Sequence, residues 1–263
     1  MLSSNHLLLS LPAAVRESVD RIVEPVSLKQ GLVLLEPEQP IERIYFPETG
    51  MISLLVVTRN GDTVETSIIG REGALGLQRG LGKRRSDTRA MVQIAGRFLS
   101  IAAHEFEQAS ATTASIREMI TPYTEVLWAE AQQNAACNAI HDASSRLCRW
   151  LLQSAQSVGK DQLSLTQDFM GHMLGVRRTT ITQLAQELQR KGAIEYRRGN
   201  ISILNRATLE SYACECYQIA RDEKILRKMG FHRETQASWA NLAKEHPVAS
   251  LRLPPKLNDS QYA

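Results

Sequence analysis

The sequence predicts an α+β protein, with β structure in its N-terminal half, a long helix after it and short helices toward its C-terminal end. Three patterns indicate this order. β-branched runs separated by turn residues fill positions 28–100, an Ala-rich segment without glycine extends from Tyr123 to His141, and two short amphipathic segments around a glycine lie within Gln167–Leu188. The chain has 263 residues, which is long enough for two domains that each bury a core.

The N-terminal domain is predicted to be an antiparallel β-sandwich or roll over residues 1–112. Its strand-like runs at positions 52–58, 63–69 and 90–94 alternate with turn signals. The strongest of these signals is Asn60-Gly61, because both residue types tolerate the positive φ of a tight turn. We therefore expect a β-hairpin at this point.

A long helix is predicted over residues 113–141. Pro122 should lie near its first turn or kink it, because proline lacks an amide hydrogen and clashes with the preceding turn. One face follows helical spacing, and the alanines beside it leave room for a second helix. We interpret the segment as a dimerisation helix; the alternative is a helix packed only on its own β domain. The spaced positions are Ile120, Tyr123, Leu127, Ala131 and Asn134.

A further helix and a helix-turn-helix are predicted in the C-terminal half. Asp142 fits the N-cap of a helix over residues 143–156. Within Gln167–Leu188, Gly171 supplies the small residue where two short helices cross, and Gly175 supplies the positive φ of the turn between them. This combination distinguishes a helix-turn-helix from an ordinary helical hairpin. The apolar positions that would bury the two helices against each other are Met170, Leu174, Val176, Ile181 and Leu184.

The second helix of this motif is predicted to begin near Arg177 and to lay its first turns in the major groove of DNA. The Arg178 guanidinium matches the two acceptors on the guanine edge, and the Gln183 amide can read adenine in the same bidentate way. Thr179 could contact a thymine methyl group, or it could be only an exposed polar residue. The residues expected to contact phosphates are Arg177, Thr180, Thr182 and, at the N-cap of the first helix, Thr166.

A β-hairpin wing is predicted around Arg198-Gly199-Asn200, with Arg197 and Arg198 at its tip. The charge distribution agrees with a DNA-binding role for this half. Residues 151–263 carry 16 basic and 11 acidic side chains, a net charge of +5, whereas residues 1–150 carry 15 and 17, a net charge of −2. We expect residues 142–212 to form the winged helix-turn-helix domain and residues 213–263 to form a helical extension and tail.

Several other functional classes lack support in the sequence. It contains no Gly-rich phosphate loop, HExxH or GxSxG motif, so we do not expect an enzyme. No apolar run approaches the roughly 20 residues that span a membrane, and the four cysteines form no disulfide framework, so a cytoplasmic protein without a membrane partner is expected. The remaining alternative is an interaction module whose winged helix binds another protein.

The order of these elements resembles the Crp/Fnr family of bacterial transcription regulators. The likeness is most specific over Leu163–Leu204 and extends to Tyr45-Phe46-Pro47 and the Gly70–Gly76 segment. It implies a cyclic-nucleotide-binding-like β-roll, a homodimer built on the long helix, a palindromic double-stranded DNA operator, and RNA polymerase as a partner. With two-fold symmetry, the two recognition helices would enter major grooves about 34 Å apart.

The resemblance weakens where a cyclic nucleotide would bind. Family members that bind cyclic AMP carry Gly-Glu-Leu, whose carboxylate holds the ribose, and then Arg-Ser-Ala or Arg-Thr-Ala, whose arginine neutralises the phosphate. This chain has Gly73-Ala74-Leu75 and Thr88-Arg89-Ala90, with Glu72 one position early. A one-residue shift in a strand turns a side chain to the opposite face. The sequence therefore predicts an unknown effector or none, and cyclic-nucleotide control is the alternative.

The cysteines do not by themselves predict a metal site. Cys214 and Cys216 would point about 200° apart if both were helical, which is too far apart to share an ion. Cys137 and His141 lie one helical turn apart and could ligate a metal or haem in a dimer. The alternative is a packed thiol beside a capping histidine, and on this basis no metal or other cofactor is expected.

Overall fold

The computed structural model describes residues 3–61 and 63–219. The chain divides into two compact units, Met1–Cys214 and Glu215–Ala263. The second unit is described only for residues 215–219, so the predicted C-terminal tail lies outside the described residues. No helix among the described residues combines the length and apolarity that are needed to cross a bilayer.

Strands and helices of the first unit are largely segregated, as in an α+β protein, with most strands before the long helix. In chain order they are α1 His6–Ser10, α2 Ala13–Val19, β1 Glu24–Leu28, β2 Val33–Leu35, β3 Arg43–Pro47, β4 Met51–Val57, β5 Thr63–Ile69, a 3-10 helix Leu77–Leu81, β6 Arg89–Ile94, β7 Gly96–Ala102, α3 Ala103–Thr112, α4 Ala114–Ile140, α5 Ala143–Val158, β8 Gln162–Ser164, α6 Gln167–Leu174, α7 Arg178–Arg190, β9 Ile194–Arg197, β10 Asn200–Ile203 and α8 Arg206–Tyr212.

Two antiparallel sheets form the N-terminal β structure. One has the strand order β1-β7-β3 and the other β2-β6-β4-β5. The predicted hairpin joins β4 to β5, and Gly61 in its turn has a φ of 90°. Apolar side chains from both sheets and from α3 meet in one core, where the Phe46 and Phe106 rings pack edge to face with centroids 6.5 Å apart. The predicted β-roll is confirmed.

The long helix α4 covers this core with the stripe that the sequence identified. Ile120 and Tyr123 are buried in the β-domain core, Leu127 packs against it, and Asn134 Nδ2 donates to the carbonyl oxygen of Thr66 (2.8 Å). Ile120 and Tyr123 are thus buried within the chain and are not free to form a dimer contact, whereas dimerisation through this helix stays a prediction. The predicted helix itself is confirmed, with Pro122 in its interior and not in its first turn.

The C-terminal part of the unit is a winged helix-turn-helix. α5 begins as predicted, where Asp142 Oδ1 accepts a hydrogen bond from the Ser145 amide (3.0 Å), and ends before its C-cap residue Gly159, whose φ is 72°. The wing is part of a three-stranded sheet with the order β8-β10-β9. Strand β8 was not predicted, because three residues are too few to show an alternating pattern.

Candidate nucleic-acid interface

The helix-turn-helix is positioned by a cap, a turn and one close approach. The Thr166 hydroxyl accepts a hydrogen bond from the Phe169 amide (3.2 Å) at the start of α6, and Gly175 ends the helix with a φ of 63°. A Cβ atom on Gly171 would lie 2.9 Å from the carbonyl oxygen of Val176. Because that distance is too short for a real Cβ contact, glycine is needed where the turn passes the first helix.

Helix α7 has one buried side and one exposed side. Its buried side chains, Ile181, Ala185 and Leu188, fix the helix on the domain core. The predicted base-reading residues lie on the other side and are all exposed; they are Arg178, Thr179 and Gln183. Arg177 is exposed at the N-cap, and Thr180 is half-buried. The first turns of α7 therefore present a polar surface that the domain does not use for its own packing.

Two side-chain contacts join the start of α7 to α6. Arg178 Nη1 lies 3.5 Å from Asp168 Oδ2, and both side chains are more than half exposed, at 65% and 59%. An exposed pair of this kind is worth little, so Arg178 can exchange it for another partner. The Thr182 hydroxyl instead donates to Gln167 Oε1 at 2.7 Å. Thr182 was expected to contact phosphate, but its hydroxyl braces the two helices.

The wing brings two arginines to the same end of the domain. β9 and β10 are joined through Arg198 and Gly199, which have φ values of 50° and 78°. Arg197 and Arg198 are exposed. The amide of Leu165 donates to the carbonyl oxygen of Gly199 (2.7 Å), so the wing tip is attached to the residue that precedes Thr166. The wing and the N-terminus of α6 thus lie side by side.

The Gly70–Gly76 segment, where an effector was considered, is engaged by two helices. Glu72 Oε1 accepts a hydrogen bond from the Ser157 hydroxyl of α5 (3.0 Å). The Ala74 amide donates to the Tyr123 hydroxyl of α4 (3.0 Å), and a Cβ atom on Gly73 would overlap that same hydroxyl. Burial raises the pKa of Tyr123 well above its ordinary value, so this phenol is neutral at physiological pH. The Ala74 amide and the Glu72 carboxylate are therefore both engaged in hydrogen bonds within the chain.

Thr88 and Arg89, the other polar residues of the predicted effector pocket, also make their contacts within the chain. Arg89 lies at the start of β6, with its Nε atom 2.8 Å from Glu36 Oε2, and this carboxylate neutralises it. Thr88 donates its amide hydrogen to the Ser86 hydroxyl (3.3 Å). The remaining members, Leu75 and Ala90, are buried core residues.

A buried polar cluster that the sequence analysis missed connects β5 to α5. Trp150 Nε1 donates to Glu65 Oε1 (2.7 Å), while the Ser53 hydroxyl lies 2.6 Å from Glu65 Oε2 and 2.5 Å from Gln93 Oε1. Burial raises the pKa of Glu65 to about 7, and hydrogen bonds from Ser53 and Trp150 partly oppose that rise. In the sequence, Glu65 is one of several polar residues in an alternating strand, and nothing in the pattern indicates that it contacts Trp150 of α5.

A thiol cluster lies at the end of the long helix. Cys137 Sγ is 3.5 Å from Cys214 Sγ, and His141 places a ring nitrogen within 4.8 Å of both. Cys214 follows the end of α8 and is not helical. The angle of about 200° that two helical cysteines would have therefore does not apply to Cys214 and Cys216. Cys216 belongs to the second unit. The combination of two thiols and an imidazole could hold a metal ion.

Comparisons with known proteins agree with this architecture. Residues 145–212 match the family model of the Crp-like helix-turn-helix domain. A comparison with curated proteins found no match. Similar solved structures include FixK2 from Bradyrhizobium japonicum, with a TM-score of 0.62 and 16% identity over 73% of this chain and 98% of that one.

Two further solved structures have the same architecture. The c-di-GMP responsive global regulator CLP of Xanthomonas campestris has a TM-score of 0.58 and 14% identity over 74% of this chain and 100% of that one. A CRP/FNR family transcriptional regulator from Thermus thermophilus has a TM-score of 0.57 and 24% identity over 72% and 98%. At these identities the likeness is one of fold.

Proposed function

We propose that the chain is a transcription regulator of the Crp/Fnr type that binds a palindromic DNA operator as a homodimer; the match of residues 145–212 to the Crp-like helix-turn-helix domain and the fold shared with FixK2 support this. The observation that carries the proposal is the exposed polar side of α7, formed by Arg178, Thr179 and Gln183. Their exposure on a helix that is otherwise anchored in the core is the arrangement that a recognition helix needs. In this role residues 142–212 act as the DNA-binding domain and residues 1–112 as a sensor domain.

The proposed contacts divide into base reading and backbone positioning. Arg178 exchanges its exposed pair with Asp168 for the two acceptors on a guanine edge, and Gln183 reads a neighbouring adenine. Thr179 adds a smaller contact. The phosphates on either side are contacted by Arg177, Thr180, the N-terminus of α6 at Thr166, and the wing residues Arg197 and Arg198. The protein would thereby act in the cytoplasm, with RNA polymerase as its functional partner.

Dimerisation is proposed for the face of α4 that the β domain leaves uncovered. Trp128 on this face is 68% exposed, although it is a large apolar residue. The exposed positions recur every three or four residues, and three of them are alanines that allow a second helix to approach closely; they are Thr121, Glu125, Trp128, Gln132, Ala135, Ala136 and Ala139. Residues 113–141 would then pack against the β domain with one face and against the same helix of a second copy with the other.

Cyclic AMP is not proposed as the effector. The positions that would hold its ribose and phosphate are engaged within the chain, through Glu72 with Ser157 and Arg89 with Glu36. A charged phosphate would have to take Arg89 from Glu36 and leave that carboxylate without its partner. We infer that any effector differs from cyclic AMP, and titration calorimetry with cyclic AMP should give no binding heat at micromolar protein.

The DNA-binding proposal is tested with sites selected from random double-stranded DNA by the full chain. Arg178→Ala should weaken binding to the selected site about 10-fold to 100-fold at fixed salt, corresponding to about 1–3 kcal/mol, and relax the preference at one base pair. Arg197→Ala should reduce binding to all sequences and lower the salt dependence by about one charge. Arg59→Ala, in the exposed β4–β5 turn, is the matched control and should have no effect.

Unchanged affinity and base preference in an Arg178→Ala, Gln183→Ala double variant would show that α7 does not read bases. A wild-type chain that selects no DNA site would favour the alternative in which the winged helix binds another protein.

The dimer is tested by sedimentation at micromolar concentration. Trp128→Arg should produce monomers, because a charge would be buried in an apolar helix contact. Leu81→Arg replaces another exposed large apolar residue, on the 3-10 helix, and should leave the dimer intact. A wild-type monomer, or equal effects of the two substitutions, would contradict the proposed face.

A further inference from the structure

Three side chains of types that ligate metals meet where the long helix ends: two lie one helical turn apart, and the third comes from the segment after α8. Cys137 lies in the last turn of α4, and His141 is its C-cap residue, with its amide donating to the Cys137 carbonyl oxygen (3.0 Å). Cys214 comes from the residues that follow α8, 77 positions from Cys137 in sequence. The Sγ and ring nitrogen atoms of the three residues all lie within 4.8 Å of one another.

The distances suit a shared ion better than a direct bond between the thiols. The two Sγ atoms are 3.5 Å apart, whereas a disulfide has a length of about 2.05 Å. Ligands at a tetrahedral zinc ion, with Zn–S bonds of about 2.3 Å, are separated by roughly 3.8 Å. A central ion therefore requires only a small adjustment of the side chains.

Burial gives a second reason. Cys137 is fully buried and Cys214 is 7% exposed, while His141 is half-buried. A lone histidine or thiol in such a place is ordinary packing, but two buried thiols that converge on one imidazole supply a soft donor set. Cys214 comes from the segment that follows α8, whereas Cys137 and His141 lie at the end of α4, so helical periodicity along one segment does not account for their convergence.

We propose that Cys137, His141 and Cys214 form a zinc-binding site. The two thiols lose their protons to solvent as the ion binds, and the imidazole binds in its neutral form, so each Zn²⁺ displaces two protons. The fourth position is open to water or to another protein ligand. Thiolate and imidazole ligands in this number favour Zn²⁺ over the hard cations Mg²⁺ and Ca²⁺, which prefer oxygen.

The site would act on the geometry of the proposed regulator. It connects the C-terminal end of α4, which continues from the β domain, to the end of α8 in the winged helix-turn-helix. Between them the chain turns at Asp142 into α5. An ion held from both sides therefore ties the DNA-binding domain to the long helix at their junction. This consequence extends the proposed function, whereas zinc binding itself does not depend on DNA binding.

The test uses the full chain, purified without chelators under reducing conditions and analysed for metal by mass spectrometry. We expect about one zinc ion per chain. Cys137→Ser, Cys214→Ser and His141→Ala should each lose most of it, and His141→Cys should retain it. Cys148→Ser is the matched control, because Cys148 is a buried thiol of α5 outside the cluster, and it should keep the zinc of the wild type.

Two spectroscopic measurements distinguish the loss of a zinc ligand from the misfolding of a variant. X-ray absorption of the zinc-loaded chain should show sulfur at about 2.3 Å and nitrogen at about 2.0 Å. A Co²⁺-loaded chain should show thiolate-to-cobalt absorption that disappears in His141→Ala or shifts strongly, since this half-buried position should tolerate alanine.

Several results would overturn the proposal. They are the absence of zinc both after purification and after addition of Zn²⁺, zinc loss from Cys148→Ser equal to that from Cys137→Ser, iron-sulfur absorption in place of zinc, and a Cys137–Cys214 disulfide in protein prepared without oxygen.

Discussion

Helix α7, the proposed recognition helix, and the Gly70–Gly76 segment differ in what their polar groups contact. On α7, Arg178 and Gln183 point to solvent, and the helix is held by apolar residues on its other side. In the Gly70–Gly76 segment, the Glu72 carboxylate and the Ala74 amide bind side chains of α5 and α4. The first region has polar groups available for a ligand, whereas the second has used its polar groups to join helices.

The difference indicates that the Gly70–Gly76 segment is a structural joint. It touches the long helix through Tyr123, and it touches α5 through Ser157, whose carbonyl oxygen accepts from the Arg71 amide (3.2 Å). Family resemblance alone would have assigned this segment to an effector. The contacts indicate that it sets how the β domain meets the helices on either side of Asp142.

The largest effect is expected for Glu65, which belongs to the same interface. Its folded pKa of about 7 lies above its ordinary value of 4.5, so the folded state binds the proton more tightly. The resulting stabilisation is complete below about pH 4.5 and is lost as pH rises to about 7, and it amounts to at most about 3 kcal/mol. Glu65→Gln keeps an uncharged amide that can hydrogen bond with Ser53 and accept from Trp150, so it should remove this pH dependence.

Denaturant unfolding between pH 4.5 and 8 measures this effect. The variant should be more stable than the wild type at pH 8 and similar to it at pH 4.5. Glu118→Gln, at an exposed position on α4, controls for the loss of one carboxylate. Parallel stability curves for wild type and Glu65→Gln would show that Glu65 is not the responsible group.

A smaller effect is expected at the joint itself. Gly73→Ala should destabilise the chain by about 2 kcal/mol, because the new Cβ displaces the Tyr123 hydroxyl from the Ala74 amide. In a Tyr123→Ala background the same substitution should have almost no effect. This double-mutant cycle is measured by chemical unfolding. Additive effects of the two substitutions would show that Gly73 and Tyr123 are not coupled and would contradict the structural role given to the Gly70–Gly76 segment.

The smallest effect is expected in the turn of the helix-turn-helix. Gly175→Ala should destabilise the domain by about 1 kcal/mol, since its φ of 63° is unfavourable for alanine and no atom lies within 4 Å of the new Cβ. Gly175→Asn should be closer to wild type, because asparagine tolerates this conformation. Equal thermal midpoints for the alanine variant and the wild type would show that the turn relaxes without strain.

The fold was predictable where short-range patterns determine it. The caps at Asp142 and Thr166 and the positive φ at Gly175 depend on a few consecutive residues, and the structure has all three. Strand β8 and the partner of the apolar face of α4 could not be predicted in this way. Both depend on which partner surface reaches the segment, and a periodic stripe does not name its partner.

The candidate sites follow the same division. The sequence by itself determined the helix-turn-helix, its wing and the order of charged residues on α7, because local spacing sets which side of a helix is apolar. Only the tertiary structure decided that Tyr123 and Ser157 engage the Gly70–Gly76 segment, that Glu65 meets Trp150 and that Cys214 joins Cys137 and His141. These contacts join residues far apart in the chain, and their proximity arises from the packing of whole elements.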